Sequence, residues 1–117
     1  MKRFNLLIVL FMLLSITLLS CGASHYSVSD HSDCQSATGQ PTTCTVSLHN
    51  DSSSSGDFNW TASSDPAGAS FNPSSGSISP GSDQNNIQVT VPPGICPFTL
   101  TFTGDDSTMV QDQISQC

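Results

Sequence analysis

The feature that most constrains this fold is an alternation of apolar and polar residues with a period of two. It recurs in four stretches, which read CTVSLHN, FNWTA, IQVTV and FTLTFT. Successive side chains of a β-strand point to opposite faces, so each stretch predicts a half-buried strand. After Cys21 no segment carries the 3.6-residue apolar period of an amphipathic helix. The chain is therefore predicted to be all-β.

Turn-forming residues separate the strands, in the stretches NDSSSSGD, SDPAG, NPSSG, SPGSD, PPG and GDDS. Short strands at intervals of roughly 8 to 12 residues predict an antiparallel β-sandwich. In two of the turns we expect Gly76 at a positive φ and Pro80 at the first corner. Trp60 is predicted to lie at the centre of the core. The expected core residues are Trp60, Phe71, Phe98, Leu100 and Phe102.

The first 20 residues have the composition of a cleaved signal peptide. Lys2 and Arg3 precede an apolar run over residues 4–14, and small and polar residues follow it. A membrane-spanning helix needs about 20 apolar residues, and this run is shorter. The alternative to a cleaved signal peptide is an uncleaved N-terminal membrane helix. The expected organisation is a signal peptide over 1–20, a tether with a first strand near 26–28 over 21–33, and a β-sandwich domain over 34–117.

The stretch from Leu18 to Cys21 resembles the bacterial lipobox, with an apolar residue at −3, a small residue at −1 and then a cysteine. In lipoproteins with this motif the thiol receives a diacylglyceryl group, and cleavage makes the cysteine the first residue of the mature chain. The resemblance implies lipidation of Cys21 and attachment to the outer face of the cell membrane. Ordinary secretion after cleavage behind Ala23 is the alternative, since Cys21 and Ala23 are both small.

The charge balance argues against two classes of partner. Both basic residues, Lys2 and Arg3, belong to the predicted signal peptide, and all nine acidic residues are Asp. Nucleic-acid binding requires cations that neutralise phosphates, so no nucleic-acid partner is expected. Attraction to anionic headgroups fails for the same reason. The membrane is therefore expected as a partner only through the lipid anchor.

Four cysteines remain once Cys21 is assigned to the anchor. Exported proteins meet an oxidising environment, so we predict that all four form disulfides. Four cysteines allow three connectivities. We favour Cys34–Cys44, which closes a loop containing Gly and Pro, together with Cys96–Cys117, which joins the two ends of a hairpin turning at GDDS. The rival pairing is Cys34–Cys117 with Cys44–Cys96.

The second favoured disulfide raises a question of strand register. If Phe98 shares a face with Ile114, then Cys96 lies opposite Gln116 and not Cys117. A bulge in the last strand would bring Cys96 and Cys117 together. An aspartate in the middle of that strand suggests an edge strand.

Motifs of catalysis and metal binding are missing from the sequence. No G-x-S-x-G elbow occurs, and the three histidines, His25, His31 and His49, are expected to face solvent. The cysteines lack zinc-site spacing, and no calcium loop appears. Asp105 and Asp106 are interpreted as a solvated hairpin turn. We therefore expect no enzymatic activity, no cofactor and no bound metal.

The stretch FNWTASS…ASFNPSSGSISPGSDQNNIQVTVP resembles bacterial immunoglobulin-like modules, the BACON or ASPM/SPD-2/Hydin-like domains. Their pattern joins a strand with Trp, an F-x-P-x-S-G-x-[IL]-x-P-G segment and a V-x-V strand, and the likeness covers about residues 44–103. The matching positions are Phe71, Pro73, Ser75, Gly76, Ile78, Pro80 and Gly81. The resemblance implies an immunoglobulin-like sandwich that binds or spaces partners.

Together these features predict a non-catalytic cell-surface lipoprotein. Its module would serve adhesion, spacing or the binding of an unknown protein or glycan. The alternative is a secreted carbohydrate- or calcium-binding module.

Overall fold

The computed structural model describes residues 26–115, and this part of the chain is all-β. Within it no helix occurs, and every regular element is a strand. Cys21, His25 and Cys117, which the sequence singled out, lie outside the described residues. The strands are β1 (Val28–Gln35), β2 (Thr42–Asn50), β3 (Phe58–Asp65), β4 (Ser70–Asn72), β5 (Ser75–Ile78), β6 (Ser82–Val91), β7 (Phe98–Gly104) and β8 (Met109–Ile114).

The strands form two four-stranded antiparallel sheets. The first has the order β1-β2-β6-β4 and the second the order β5-β3-β7-β8. Apolar side chains from both sheets meet in one buried cluster, so the arrangement is of the β-sandwich type. β4 and β5 are consecutive but belong to different sheets, and they close one side of the sandwich. On the other side the edge strands β1 and β8 lie against each other.

The buried cluster contains the aromatic residues that the alternation pointed inward. Trp60 is 1% exposed and packs edge-on against Phe102, with ring centroids 5.6 Å apart. Phe98, Leu100 and Phe102 are buried along β7. Phe71, on the short strand β4, is only partly buried and meets Phe102 with centroids 6.4 Å apart. Aromatic rings from both sheets thus contact one another across the core.

Two glycines make room for buried aromatic rings: Gly76 for the ring of Trp60 and Gly104 for the ring of Phe58. Trp60 on β3 pairs with Gly76 on β5 and with Gly104 on β7. A Cβ atom at Gly104 would lie 2.5 Å from Cε2 of Phe58, and one at Gly76 would lie 3.0 Å from three atoms of the Trp60 indole. Because the interior is close-packed, the missing side chains are part of the fit.

One turn expectation is confirmed and another is wrong. Ser82 N donates to Ser79 O at 3.0 Å, and Gly81 has a φ of 77°, so Pro80 occupies the first corner of a tight turn as expected. Gly76 is not at a positive φ; it lies inside β5. The wrong prediction took the glycine as a conformational signal, whereas it is needed for the space it leaves to Trp60.

The first strand is later and longer than the expected 26–28. β1 pairs with β2 along its whole length, and it crosses residue 33, the expected end of the tether. Its partly buried positions are Val28, Asp30, Ser32 and Cys34. Because two of these four residues are polar, the sequence shows no alternation of apolar and polar residues here. The segment therefore looks like a solvent-exposed tether when only the sequence is considered.

The disulfide Cys34–Cys44 is present and joins directly opposed residues of β1 and β2. It rules out the rival pairing, in which Cys44 would bond Cys96. Cys96 is disulfide-bonded as well, and its expected partner, Cys117, lies outside the described residues.

The hairpin of β7 and β8 turns at GDDS, as predicted. Ser107 N donates to Gly104 O at 3.1 Å in this turn. Phe98 pairs with Ile114, so the aromatic face of β7 matches the aliphatic face of β8. The pairing is continuous over the described length of β8, without a bulge there. β8 is an edge strand, as its central aspartate suggested.

Candidate functional site

The outer face of the second sheet carries a groove that runs across β5, β3 and β7. Its volume is about 580 Å³, and it is broadly open to solvent. The side chains of this face are short and polar because the alternation sends the large apolar ones inward. The polar lining residues are Asn59, Thr61, Ser75, Ser77, Thr103 and Asp105. The groove therefore offers hydroxyl, amide and carboxylate groups.

A hydrogen-bonded group holds one end of the groove in place. Asn59 Nδ2, at the start of β3, donates to Asp105 Oδ2 at 3.1 Å. The Tyr26 hydroxyl donates to Asp105 Oδ1 across a longer distance of 3.5 Å. The Tyr26 ring in turn packs edge-on against the buried Phe58, with centroids 5.6 Å apart. Asp105 is thus oriented by two neighbours, one of which is anchored to the core.

The protonation state of Tyr26 follows from its surroundings. Burial of the ring is the largest cause that raises the pKa of its hydroxyl, and the negative charges of Asp105, Asp106 and Asp57 raise it further. A phenol with its ordinary pKa of about 10 is already neutral at physiological pH, and the raised pKa extends that range to more alkaline solution. Tyr26 therefore remains a hydrogen-bond donor to Asp105.

The charges around the groove restrict what it can bind. Residues 26–115 contain no Lys and no Arg, so no permanent cation is available there to attract a phosphate, sulfate or carboxylate. Burying a charged group without a partner is costly. The groove fits uncharged molecules rich in hydroxyl or amide groups better than anions.

A second, smaller depression lies at the end of the sandwich that carries the Cys34–Cys44 disulfide. Its volume is about 260 Å³, and loop residues 36–40 and 92–96 line it together with the buried Thr42. These loop residues include no Asp, His, Lys or Arg. The depression offers neutral contacts without a group that could transfer protons.

The histidines within the described range lie on the surface, where the sequence placed them. His31 is exposed on the outer face of β1. His49 on β2 sits beside its cross-strand partner Asp83 on β6, with Nδ1 and Oδ1 2.5 Å apart. Their side chains are 44% and 54% exposed, so water reaches both partners of the pair.

The part of the chain that the structure describes holds neither a metal cluster nor a membrane-spanning helix. Between residues 26 and 115, no group of three or more His, Cys, Asp or Glu side chains is placed to hold a metal ion. Over the same range, no helix has the length and apolar character needed to cross a bilayer.

Comparison with known proteins gives no assignment. Neither a scan against protein-family models nor a search of the curated proteins found a match to this chain.

The sequence did not reveal the groove, although parts of it were visible. Alternation placed Asn59 and Thr61 on the outer face of a strand, and the hairpin placed Asp105 at a tip. Asn59 and Asp105 lie 46 residues apart in the chain. Their hydrogen bond depends on β3 and β7 being neighbours in one sheet, which no local pattern encodes.

Proposed function

We propose that this chain is a non-catalytic, exported lipoprotein whose single immunoglobulin-like module binds or spaces partners outside the cytoplasm. The carrying observation is the disulfide between Cys34 and Cys44. Disulfides persist in oxidising compartments and are rare in the cytosol, so this cross-link supports export. The two antiparallel sheets around one core support the module assignment.

The anchor is proposed from the lipobox-like residues that end at Cys21. A thioether-linked diacylglyceryl group with N-acylation satisfies the requirement of two lipid signals for stable membrane attachment. Cys21 is the one cysteine of five that the favoured disulfides leave unused. Cleavage after Ala23 would instead give a secreted form of the same domain.

Metabolic labelling with palmitate in a bacterial host tests the anchor. The wild-type chain should incorporate label, and Cys21→Ser should not. The matched control is the double variant Cys34→Ser, Cys44→Ser, which removes two other cysteines and should keep the label. Equal labelling of wild type and Cys21→Ser would refute lipidation. Mass spectrometry of the mature N-terminus would then show whether cleavage follows Ala23.

The groove favours a second candidate function, the binding of uncharged carbohydrate. Amide, carboxylate and hydroxyl groups are suited to hydrogen bonding with sugar hydroxyls, and the bond between Asn59 and Asp105 pre-orients two of them. Trp60 is only 1% exposed, so no indole face is available for stacking on a sugar ring. Any binding would therefore rest on hydrogen bonds.

Calorimetric titration with neutral oligosaccharides tests this candidate. Asn59→Ala should abolish the heat of binding, while Gln88→Ala, an exposed change on the outer face of the other sheet, should leave it intact. Because Trp60 is buried, its emission should be blue and should not respond to sugars. Identical titrations for the wild type and Asn59→Ala would rule out the groove as a sugar site.

A further inference from the structure

The two long edge strands of the sandwich meet on the same side. β1 and β8 end their respective sheets and contact each other. The other two edge strands, β4 and β5, have three and four residues. An edge strand presents unpaired backbone N–H and C=O groups, which form a template for strand addition. β1 and β8 are therefore the edges to which another strand would most readily add.

The two edges differ in how they are protected. β1 carries three ionisable side chains, Asp30, His31 and Asp33, over eight residues. β8 carries one, Asp112, among six residues. Its first residue, Met109, is 60% exposed. Charges on an edge discourage pairing, so β8 is the less protected of the two.

Asp112 lies in the seam between the edges. It is partly buried, on the same face of β8 as Val110 and Ile114. Its carboxylate accepts a hydrogen bond from Ser32 Oγ on β1. Across the same seam, burial and then the charge of Asp112 raise the pKa of Asp30. A strand added to β8 would enter this seam and remove water from the Asp112 carboxylate, which is costly.

The sequence of β8 is self-complementary about this residue. It reads Val-Gln-Asp-Gln-Ile over residues 110–114. If two copies of β8 pair antiparallel about a two-fold axis at Asp112, Val110 faces Ile114 of the other copy and Gln111 faces Gln113. An isologous contact of this kind satisfies the symmetry of a homodimer. The central pair would be Asp112 with itself, and like charges directly opposite each other are destabilising.

We propose that β8 is a latent interaction edge for a second copy of this chain, and that Asp112 keeps it closed. Four of the five residues in the stretch 110–114 favour antiparallel self-pairing, and the central carboxylate of Asp112 opposes it. Removing that one charge opens the edge to the second copy.

Light scattering coupled to size-exclusion chromatography, over a concentration series at neutral pH, tests the proposal. Asp112→Asn retains an oxygen that can accept the Ser32 hydrogen bond and should double the apparent mass. Asp33→Asn makes the same charge change on the exposed face of β1 and should run as the wild type does. Hydrogen exchange should show new protection at residues 109–114 in the Asp112→Asn dimer.

A cross-link tests the register independently. Paired residues of antiparallel strands have Cα atoms about 4.5–5.5 Å apart, within the range that a disulfide spans. Asp112→Cys should therefore form a covalent dimer under mild oxidation. Gln111→Cys in an Asp112→Asn background also lacks the central charge, but its counterpart in that register is Gln113, so it should form far less. If Asp112→Asn stays a folded monomer, or if Asp112→Cys gives no more dimer than the Gln111→Cys control, the proposal is wrong.

Discussion

Substitution of Gly104 by alanine tests the packing argument most directly. The new Cβ would lie 2.5 Å from Cε2 and 3.1 Å from Cδ2 of Phe58. Favourable contacts between carbon atoms lie at about 3.5–4.0 Å, so the overlap is about 1 Å. The Phe58 side chain is fully buried and cannot move away without disturbing its neighbours. We therefore expect a cost in the upper part of the roughly 1–3 kcal/mol that overpacking causes.

Thermal and urea unfolding, followed by circular dichroism with the disulfides intact, measure this cost. A loss of about 2–3 kcal/mol corresponds to a fall in Tm of roughly 10 to 20 °C for a domain of this size. Gly76→Ala places its Cβ 3.0 Å from the Trp60 indole and should cost less, about 1–2 kcal/mol. Gly56→Ala is the matched control, because nothing lies within 4 Å of its Cβ.

A double-mutant cycle identifies the cause. Phe58→Leu removes the ring that the new Cβ meets, so Gly104→Ala should cost clearly less in the Phe58→Leu background, with a coupling of about 0.5–3 kcal/mol. The reasoning is refuted if Gly104→Ala is as stable as Gly56→Ala. It is also refuted if the cost of Gly104→Ala is unchanged by Phe58→Leu, since the strain would then arise elsewhere.

Three further predictions concern a buried amide, a disulfide and a carboxyl group. Asn50→Ala should lower the free energy of unfolding in urea by about 1–3 kcal/mol, because the fully buried Asn50 amide donates to two backbone carbonyls; an unchanged midpoint would contradict this. Replacing both Cys34 and Cys44 by serine should lower the free energy of unfolding by about 3 kcal/mol in the chain-entropy account. The variant and the wild type are each unfolded with and without reductant. The pKa of Asp30 is raised in the folded state. As pH rises above the ordinary pKa of an aspartate, the unfolded state releases this proton before the folded state does. The free energy of unfolding therefore falls over that pH interval. Asp30→Asn should therefore stabilise the protein at pH 7 and not at low pH, and a uniform effect at all pH values would contradict the assignment.

Much of the fold could be predicted because strand alternation is a local property. The inward positions of β2, β3, β6 and β7 followed directly from the period of two, and they are buried except for Ala62 on β3, which is partly buried. The turn at Pro80 and the hairpin at GDDS were visible for the same reason, since turn residues act through their own backbone. The Cys34–Cys44 pairing followed from a short loop containing Gly39 and Pro41.

The errors occurred where a residue serves a distant partner. β1 was predicted too short because Asp30 and Ser32 point inward toward a seam that exists only when β8 lies opposite. Gly76 was taken for a turn residue because its partner, Trp60, lies 16 positions earlier in the chain. The groove residues Asn59 and Asp105 meet only because β3 and β7 are adjacent.

The sequence alone determined the class of this protein: an all-β chain without Lys or Arg after position 3, with strands marked by alternation and turns marked by Gly, Pro and Asp. These properties depend on neighbours within a few residues, so they can be read along the chain. Tertiary structure alone decided which strands lie side by side, because sheet order depends on how two apolar faces cover each other. That order brings Asn59 to Asp105, leaves space for Phe58 and Trp60, and places β8 at the edge of its sheet.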